Sequence, residues 1–185
     1  SITAAMVGND LISGKDALTS APASTDEFLI SDAGTLKRID ASLVGRGKIL
    51  QVVSAVRSTE ITTSSTSYVT TNCTASITPS STSSKVLVLI AGTGRQNDDG
   101  GTAKYTVFRD STNLDATSGN GFSEISVTGG TFIKAPYVIT FLDSPSSTSS
   151  LAYALFMKNQ TSTTCRACHN NTDTTVTLLE IAGWL

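Results

Sequence analysis

Histidine and tryptophan occur once each in 185 residues, cysteine three times and proline four times, and only 15% of the chain is charged. Each shortage excludes something. With His169 as the lone histidine, any Ser-His-Asp or Cys-His site has to use it; serine and aspartate are so common that a chance neighbour of either kind is expected. The 13 basic residues form no run, so the sequence carries no electrostatic footprint for nucleic acid. The longest wholly apolar stretch, 151–157, falls far short of the roughly 20 residues that span a bilayer, so no membrane insertion is expected. No basic and apolar stretch opens the sequence, so no signal peptide is expected, and a start at Ser1 fits loss of an initiator methionine or equally a trimmed chain.

What is abundant is hydroxyl: 55 residues are serine or threonine, beside a 39% apolar share and a net charge of −2. Disorder needs high net charge and few β-branched residues, and neither holds. This is the composition of a β-rich protein with a hydroxyl-coated surface. The length fits one domain of ordinary size plus a short appendage.

One phrase is written twice. Pro79-Ser80-Ser81-Thr82-Ser83-Ser84 precedes the apolar run 86–91, and Pro145-Ser146-Ser147-Thr148-Ser149-Ser150 precedes 151–157. Proline lacks the donor a strand ladder needs, and serine bonds locally to the backbone, so each copy breaks a strand and turns the chain. The same turn feeding two similar strands reads as two equivalent corners of one β-sandwich.

The organisation follows from the turn signals. Residues 1–47 form a first unit: an extended arm to about residue 25, then 28–31 and 36–39 flanking Asp32-Ala33-Gly34-Thr35 as a hairpin. A single helical turn at 41–44, capped by Asp40, and a hinge at Gly45-Arg46-Gly47 are expected to follow. From residue 48 to 185, strands are expected near 49–57, 67–77, 85–92, 103–110, 121–127, 132–142, 151–158, 162–169 and 175–182. Short strands at this spacing, with almost no helix, predict an all-β, antiparallel two-sheet sandwich, a jelly roll. A strand with one face in water should alternate apolar and polar. Residues 86–91, 137–142 and 151–157 do not, so their second face needs a cover. A neighbouring subunit is the first candidate, and the chain's own arm folding back is the other.

Several patterns imitate chemistry. Cys165-Arg166-Ala167-Cys168-His169 matches the C-x-x-C-H pattern of c-type haem attachment, but its flanks are strand and turn formers. On a strand the two cysteines would lie about 10 Å apart on opposite faces, too far for a disulfide. Cys73, Cys165, Cys168 and His169 nominally make a zinc set, yet adjacent Cys168 and His169 would point to opposite sides of a strand. The three cysteines are expected to be buried or half-buried free thiols of a protein assembled in a reducing cytosol. Gly92-Thr93-Gly94 after an apolar run imitates a dinucleotide fingerprint, but its third position is Asn97 and no helix follows. Asp110, Asn113 and Asp115 lack the spacing of a calcium loop. No catalysis, cofactor or metal is expected. The polar loops richest in hydrogen-bonding groups are Arg95-Gln96-Asn97-Asp98-Asp99 and 110–120, which carries Asp110, Asn113 and Asp115. They are candidates for contact with a host-surface glycan or protein, with Tyr105 or Trp184 as stacking surfaces.

Three segments carry a family resemblance. Residues 26–39 (DEFLISDAGTLKRI) resemble a module of tail-fibre and related structural proteins of marine phages and cyanophages. Residues 47–53, with 76–88, are similar to the start of a β-sandwich domain at the distal end of such fibres, and 178–183 resemble its closing strand. The resemblance implies a homotrimeric jelly roll on a bacteriophage virion, assembled in the host cytoplasm. The arm would anchor to other tail or capsid proteins and the sandwich would face outward. A long fibre needs a repetitive shaft, for which about 47 residues leave little room. A short tail fibre or fibre tip for receptor binding is expected, with a capsid decoration or head fibre as the alternative.

Overall fold

The computed structural model describes residues 23, 25–41, 44, 49–115, 119–161 and 163–183. The expected arm, the hinge at 45–47, most of the helical turn at 41–44 and Trp184 lie outside the described residues. The chain divides into two compact units, Ser1–Gly47 and Lys48–Leu185.

In the first unit, β1 (Glu27–Asp32) and β2 (Thr35–Asp40) pair antiparallel with Phe28 opposite Ile39 and Asp32 opposite Thr35. Ala33 and Gly34 turn the chain with φ of 50° and 84°, the two positive angles of the tight turn whose twist matches a hairpin. Arg38 bonds Glu27 at 2.8 Å and Lys37 bonds Asp32 across the strands. Leu29 and Leu36 are 67% and 70% exposed.

The second unit is an all-β, antiparallel sandwich of jelly-roll type. Its larger sheet holds β3 (Ile49–Arg57), β4 (Ile61–Thr63), β6 (Lys85–Asn97), β10 (Phe132–Asp143), β12 (Cys165–Ala167) and β13 (Thr174–Ile181). The smaller sheet holds β5 (Val69–Ile77), β7 (Thr102–Arg109), β8 (Thr112–Asn113), β9 (Ser123–Ser126) and β11 (Leu151–Asn159). The long strand β6 pairs with β10 along one edge, from Val86 opposite Asp143 to Asn97 opposite Phe132. Its other edge pairs first with β13 and then with β12, which carry β3 and β4 beyond them.

Alternation decides what faces inward. Val86, Val88 and Ile90 of β6, Tyr137 and Ile139 of β10, and Val176 and Leu178 of β13 meet Tyr153, Leu155 and Met157 of β11 and Ala103, Tyr105 and Val107 of β7. Tyr105 and Tyr137 stack with centroids 4.5 Å apart. A Cβ at Gly92 would strike the Tyr137 hydroxyl, and one at Gly94 the Tyr105 hydroxyl. Gly92-Thr93-Gly94 is therefore a packing requirement of two buried tyrosines. On β11 the outward Phe156 packs side by side with Phe108 of the adjacent β7, with ring centroids 4.1 Å apart, so the two rings shield each other in part on the outer face of the smaller sheet.

Both serine-rich phrases are sheet-to-sheet crossovers. Residues 79–84 lead from β5 in the smaller sheet to β6 in the larger, and 145–150 lead from β10 in the larger to β11 in the smaller. A carboxylate secures each corner, buried at Glu180 and half-buried at Asp143. Glu180 accepts hydrogen bonds from Gln51 at 2.6 Å and from the Ser80 N–H, Ser80 hydroxyl and Ser84 hydroxyl at 2.7 Å each. Asp143 accepts from Arg109 at 2.6 Å and from the Tyr153 hydroxyl at 2.7 Å.

Three sequence expectations need correction. β6 runs to Asn97, because its ladder with β10 continues through Lys134 and Phe132, so Arg95, Gln96 and Asn97 lie on a strand and only Asp98 and Asp99 belong to the turn. The strand expected at 162–169 is only Cys165–Ala167. There Cys168 enters the left-handed region (φ 52°) and His169–Asn171 form a 3₁₀ turn, which ends the extended spacing on which the cysteine geometry had been reasoned. Two short strands, β4 and β8, were not expected from the sequence.

Burial alone would raise the Glu180 carboxyl, but its hydrogen bonds from Gln51, Ser84 and Ser80 outweigh that and hold it below the ordinary value of 4.5. Its contribution to stability is complete above the unfolded-state value and is lost as pH falls through the lower folded-state value. Glu180→Gln is expected to cost about 2 kcal/mol at pH 7 and to flatten the acid limb of unfolding below pH 4.5. Urea unfolding across the acid range checks both, and an unchanged acid limb would contradict the role given to this carboxylate.

Candidate functional site

The outer face of the larger sheet is the most unusual surface of the sandwich. Period-two alternation sends Leu87, Leu89, Ala91, Thr93, Arg95 and Asn97 of β6 outward. The register then builds rows across four strands. Leu142, Leu87, Leu179 and Val52 stand abreast on β10, β6, β13 and β3. Thr140, Leu89, Thr177 and Ser54 form the next row, and Val138, Ala91, Thr175 and Val56 the third. None of these twelve positions carries a charge.

The exposure is large for residues of this kind: Val138 is 65% exposed, Val56 61%, Val52 58% and Leu142 57%. Ile49, opposite Ile181, extends the apolar surface past the first row. A shallow groove of about 160 Å³ runs along it between Leu89, Ala91, Val138, Thr140, Thr175 and Thr177. The smaller sheet differs. Its β5 presents Thr70, Asn72, Thr74 and Ser76 to solvent, a surface that water satisfies.

Of the residues expected in receptor-facing loops, few are free to face anything. Gln96 is fully buried, accepting from Asn159 at 2.8 Å and donating to Thr163 at 2.7 Å. Asn113 sits in β8 with its side-chain oxygen accepting from the Thr106 hydroxyl and the Asp115 N–H. Asp110 accepts from the Ala152 N–H and Asp115 from the Gly121 N–H. These three carboxylate and amide groups shape turns. Asp98 and Asp99 are exposed, although Asp99 also accepts from the Gly129 N–H. Tyr105 is completely buried and offers no stacking surface. Arg95 and Asn97 project outward, beyond the uncharged rows.

The C-x-x-C-H segment is an internal cluster. Cys73, Cys165 and Cys168 are buried and free; Cys73 and Cys168 each reach Thr174, at 3.5 and 3.4 Å. His169 is 2% exposed, with Nδ1 2.8 Å from Glu60, which also accepts from the Asn170 N–H and from Arg166. Burial alone would raise the Glu60 carboxyl, but the bonds from Asn170, His169 and Arg166 hold it low. His169 Nε2 has no hydrogen-bond partner among the described residues, so the histidine has an acidic neighbour without a nucleophile on its other nitrogen. Among the described residues no group of three or more His, Cys, Asp and Glu side chains is placed to hold a metal ion.

No protein-family model matches the chain, and no curated protein sequence matches it. Among solved structures it is similar to the Gt strain of infectious bursal disease virus, at 14% identity and a TM-score of 0.42, over 82% of this chain and 42% of that one. It is similar also to the Gx strain structure (14%, TM-score 0.39) and to the VP2 subviral particle of that virus (13%, TM-score 0.38), each over 82% of this chain. The chain spans about two fifths of the length of these chains. The fold class rests on the strand pairing described above and not on these likenesses.

Burial pushes the Cys73 and Cys165 thiols up to about 11, and Cys168 is fully enclosed. Thiolate is the reactive form, so iodoacetamide at pH 8 is expected to leave all three cysteines of the native protein unmodified and to label three after denaturation. Mass spectrometry counts the adducts. Labelling of the native protein at the rate of a free cysteine would contradict the enclosed cluster.

Proposed function

We propose that the chain is a structural protein of a bacteriophage virion that assembles with copies of itself and carries the sandwich outward for attachment to the host surface. The observation that carries this reading is the uncharged outer half of the larger sheet. Four strands spaced about 4.8 Å apart, over three outward rows about 6.8 Å apart, give on the order of 400 Å² of apolar and hydroxyl surface. That lies within the range of the largest patches monomers expose, roughly 300–600 Å², which are often functional, and would supply the core of a standard interface of about 800 Å² per partner. A core without charge and with a polar rim is the usual anatomy of such an interface.

A second copy of the chain is the occupant this surface fits, because rows of aliphatic and hydroxyl side chains meet a like surface without bringing like charges together, and hydroxyls both donate and accept. The phage resemblance of residues 26–39, 47–53, 76–88 and 178–183 supports a trimer, a short tail fibre or fibre tip. It also supplies the anchoring role for the first unit. The hairpin adds to the case for assembly, since a lone two-stranded hairpin with Leu29 and Leu36 in water is marginal until packed against another surface.

Immunogold electron microscopy of virions with antibody against residues 48–185 tests the location. Label confined to the tail, together with competition by the purified protein in host adsorption, is the expected result. Label over the head without competition would assign the chain to capsid decoration, and no label on particles would overturn the virion reading.

A further inference from the structure

The uncharged rows end on two open strands. In the larger sheet β10 pairs with β6 alone and β3 with β13 alone, so each has one side without a ladder among the described residues. Proline has no N–H, and Pro136 stands in mid-ladder opposite Thr93, so its nitrogen faces away from β6. Backbone groups alternate in direction along a strand, and Val138, Thr140 and Leu142 therefore turn theirs to the open side of β10. Carried across β6 and β13, the same alternation turns those of Val52, Ser54 and Val56 to the open side of β3.

Open edges are ordinarily guarded by proline, lysine or an inward charge, because an unguarded one templates pairing with another chain. On β10 such guards, Lys134 and Pro136, stand in one half of the strand. Residues 138–142 and 52–56 contain neither a charge nor a proline. Exposure is greatest there too. Val138, Leu142, Val52 and Val56, at the two ends of the rows, are 57–65% exposed, while Leu87, Leu89 and Leu179 between them are half-buried.

We propose that these two edges pair between copies of the chain, β10 of one against β3 of the next, so that the larger sheet continues from molecule to molecule. The directions agree. β3, β13, β6 and β10 alternate, so β3 of a second copy set beside β10 runs antiparallel to it. The register follows from the rows. Leu142 stands beside Val52 of the second copy, Thr140 beside Ser54 and Val138 beside Val56, each pair exchanging two backbone hydrogen bonds, about six in all. In that register Pro136 falls opposite Ser58, past the end of β3, and obstructs nothing. Apolar meets apolar and hydroxyl meets hydroxyl at each outward position. The contact joins two different surfaces, so it repeats from copy to copy until a ring closes. It rests on the reading that copies of the chain assemble, and it names the strands that join them.

Paired cysteines in the full-length protein test this, since the three native ones are buried. Val52→Cys with Leu142→Cys, and Val56→Cys with Val138→Cys, put thiols on facing residues of two copies. There the Cα atoms of a hydrogen-bonded pair stand about 5.5 Å apart, within disulfide reach. Inside one chain the same positions lie three strand spacings apart, about 14 Å, so a bond between them has to join two molecules. Copper phenanthroline supplies the oxidant, and non-reducing electrophoresis in SDS reads the products. Each double variant is expected to give at least about tenfold more covalent oligomer than its single variants. The same excess is expected over Val56→Cys with Leu142→Cys, whose thiols are about 13 Å out of register. Thr140→Pro, which removes a donor from the open edge alone, should abolish the excess while circular dichroism shows the sandwich intact. Products running past a trimer would uphold the pairing and remove the threefold ring. Sedimentation of the wild type is measured alongside. Wild-type assembly without cross-linking by either in-register pair would overturn the edge pairing and leave contact through the outer face. Single variants that cross-link as strongly as the doubles would overturn it in favour of a two-fold contact. A wild type that stays monomeric would overturn both readings.

Discussion

The strict two-residue period of β6 is the constraint on which the sandwich depends. Thirteen residues, Lys85 to Asn97, stay in register with β10 along one edge and with β13 and then β12 along the other. A slip of one residue would turn Val86, Val88, Ile90, Gly94 and Gln96 out to solvent and bring Leu87, Leu89 and Arg95 into the core. The slip is resisted by shape. Gly92 and Gly94 are the only residues that fit beneath the Tyr137 and Tyr105 hydroxyls, and Gln96 is held by Asn159 and Thr163. The crossovers add to this, because Glu180 anchors the corner that feeds β6 and Asp143 the corner that leaves its neighbour β10.

With the inner face so determined, the outer face follows. The same alternation that builds the core places an uncharged half and a cationic end on one surface. The first suits another copy of the chain, whose apolar surface would leave water along with it. The second, the row Lys134, Arg95 and Arg166, carries like charges on adjacent strands, of which only Arg166 is paired, with Glu60. An assembly through the uncharged half would leave Arg95, Asn97 and Arg166 beside the interface.

The fold class was legible because strand alternation and turn chemistry are local. The Pro-Ser-Ser-Thr-Ser-Ser phrases marked two corners, and Asp32-Ala33-Gly34-Thr35 marked the hairpin turn. Runs apolar on both faces marked 86–91 and 137–142, whose outward residues stand in the uncharged rows. On 151–157 the outward side is smaller, with Ala152, Ala154 and a Phe156 that stands beside Phe108. The candidate site was far less legible. Arg95-Gln96-Asn97 looks like the start of a turn because polar residues cluster there, and only the pairing with Phe132 and Lys134 shows that a strand continues. Lys134, Arg95 and Arg166 are 39 and 71 residues apart in sequence, so basic residues that form no run along the chain become a row only through cross-strand register. The cysteine segment misled because Cys168 itself takes a left-handed conformation, which cysteine does not signal, whereas Asn170 and Asn171 are turn formers for which that region is common.

The central claim is that the uncharged half of the larger sheet is a contact between copies of this chain. Sedimentation equilibrium of the full-length protein, alone and with Val52→Asp and Leu142→Asp combined, measures that most directly. The account predicts a wild-type mass that is a multiple of 19.2 kDa, a trimer by the phage resemblance, and a folded variant at 19.2 kDa. A wild type that remains at 19.2 kDa throughout the micromolar range, or a variant that assembles as the wild type does, would contradict it.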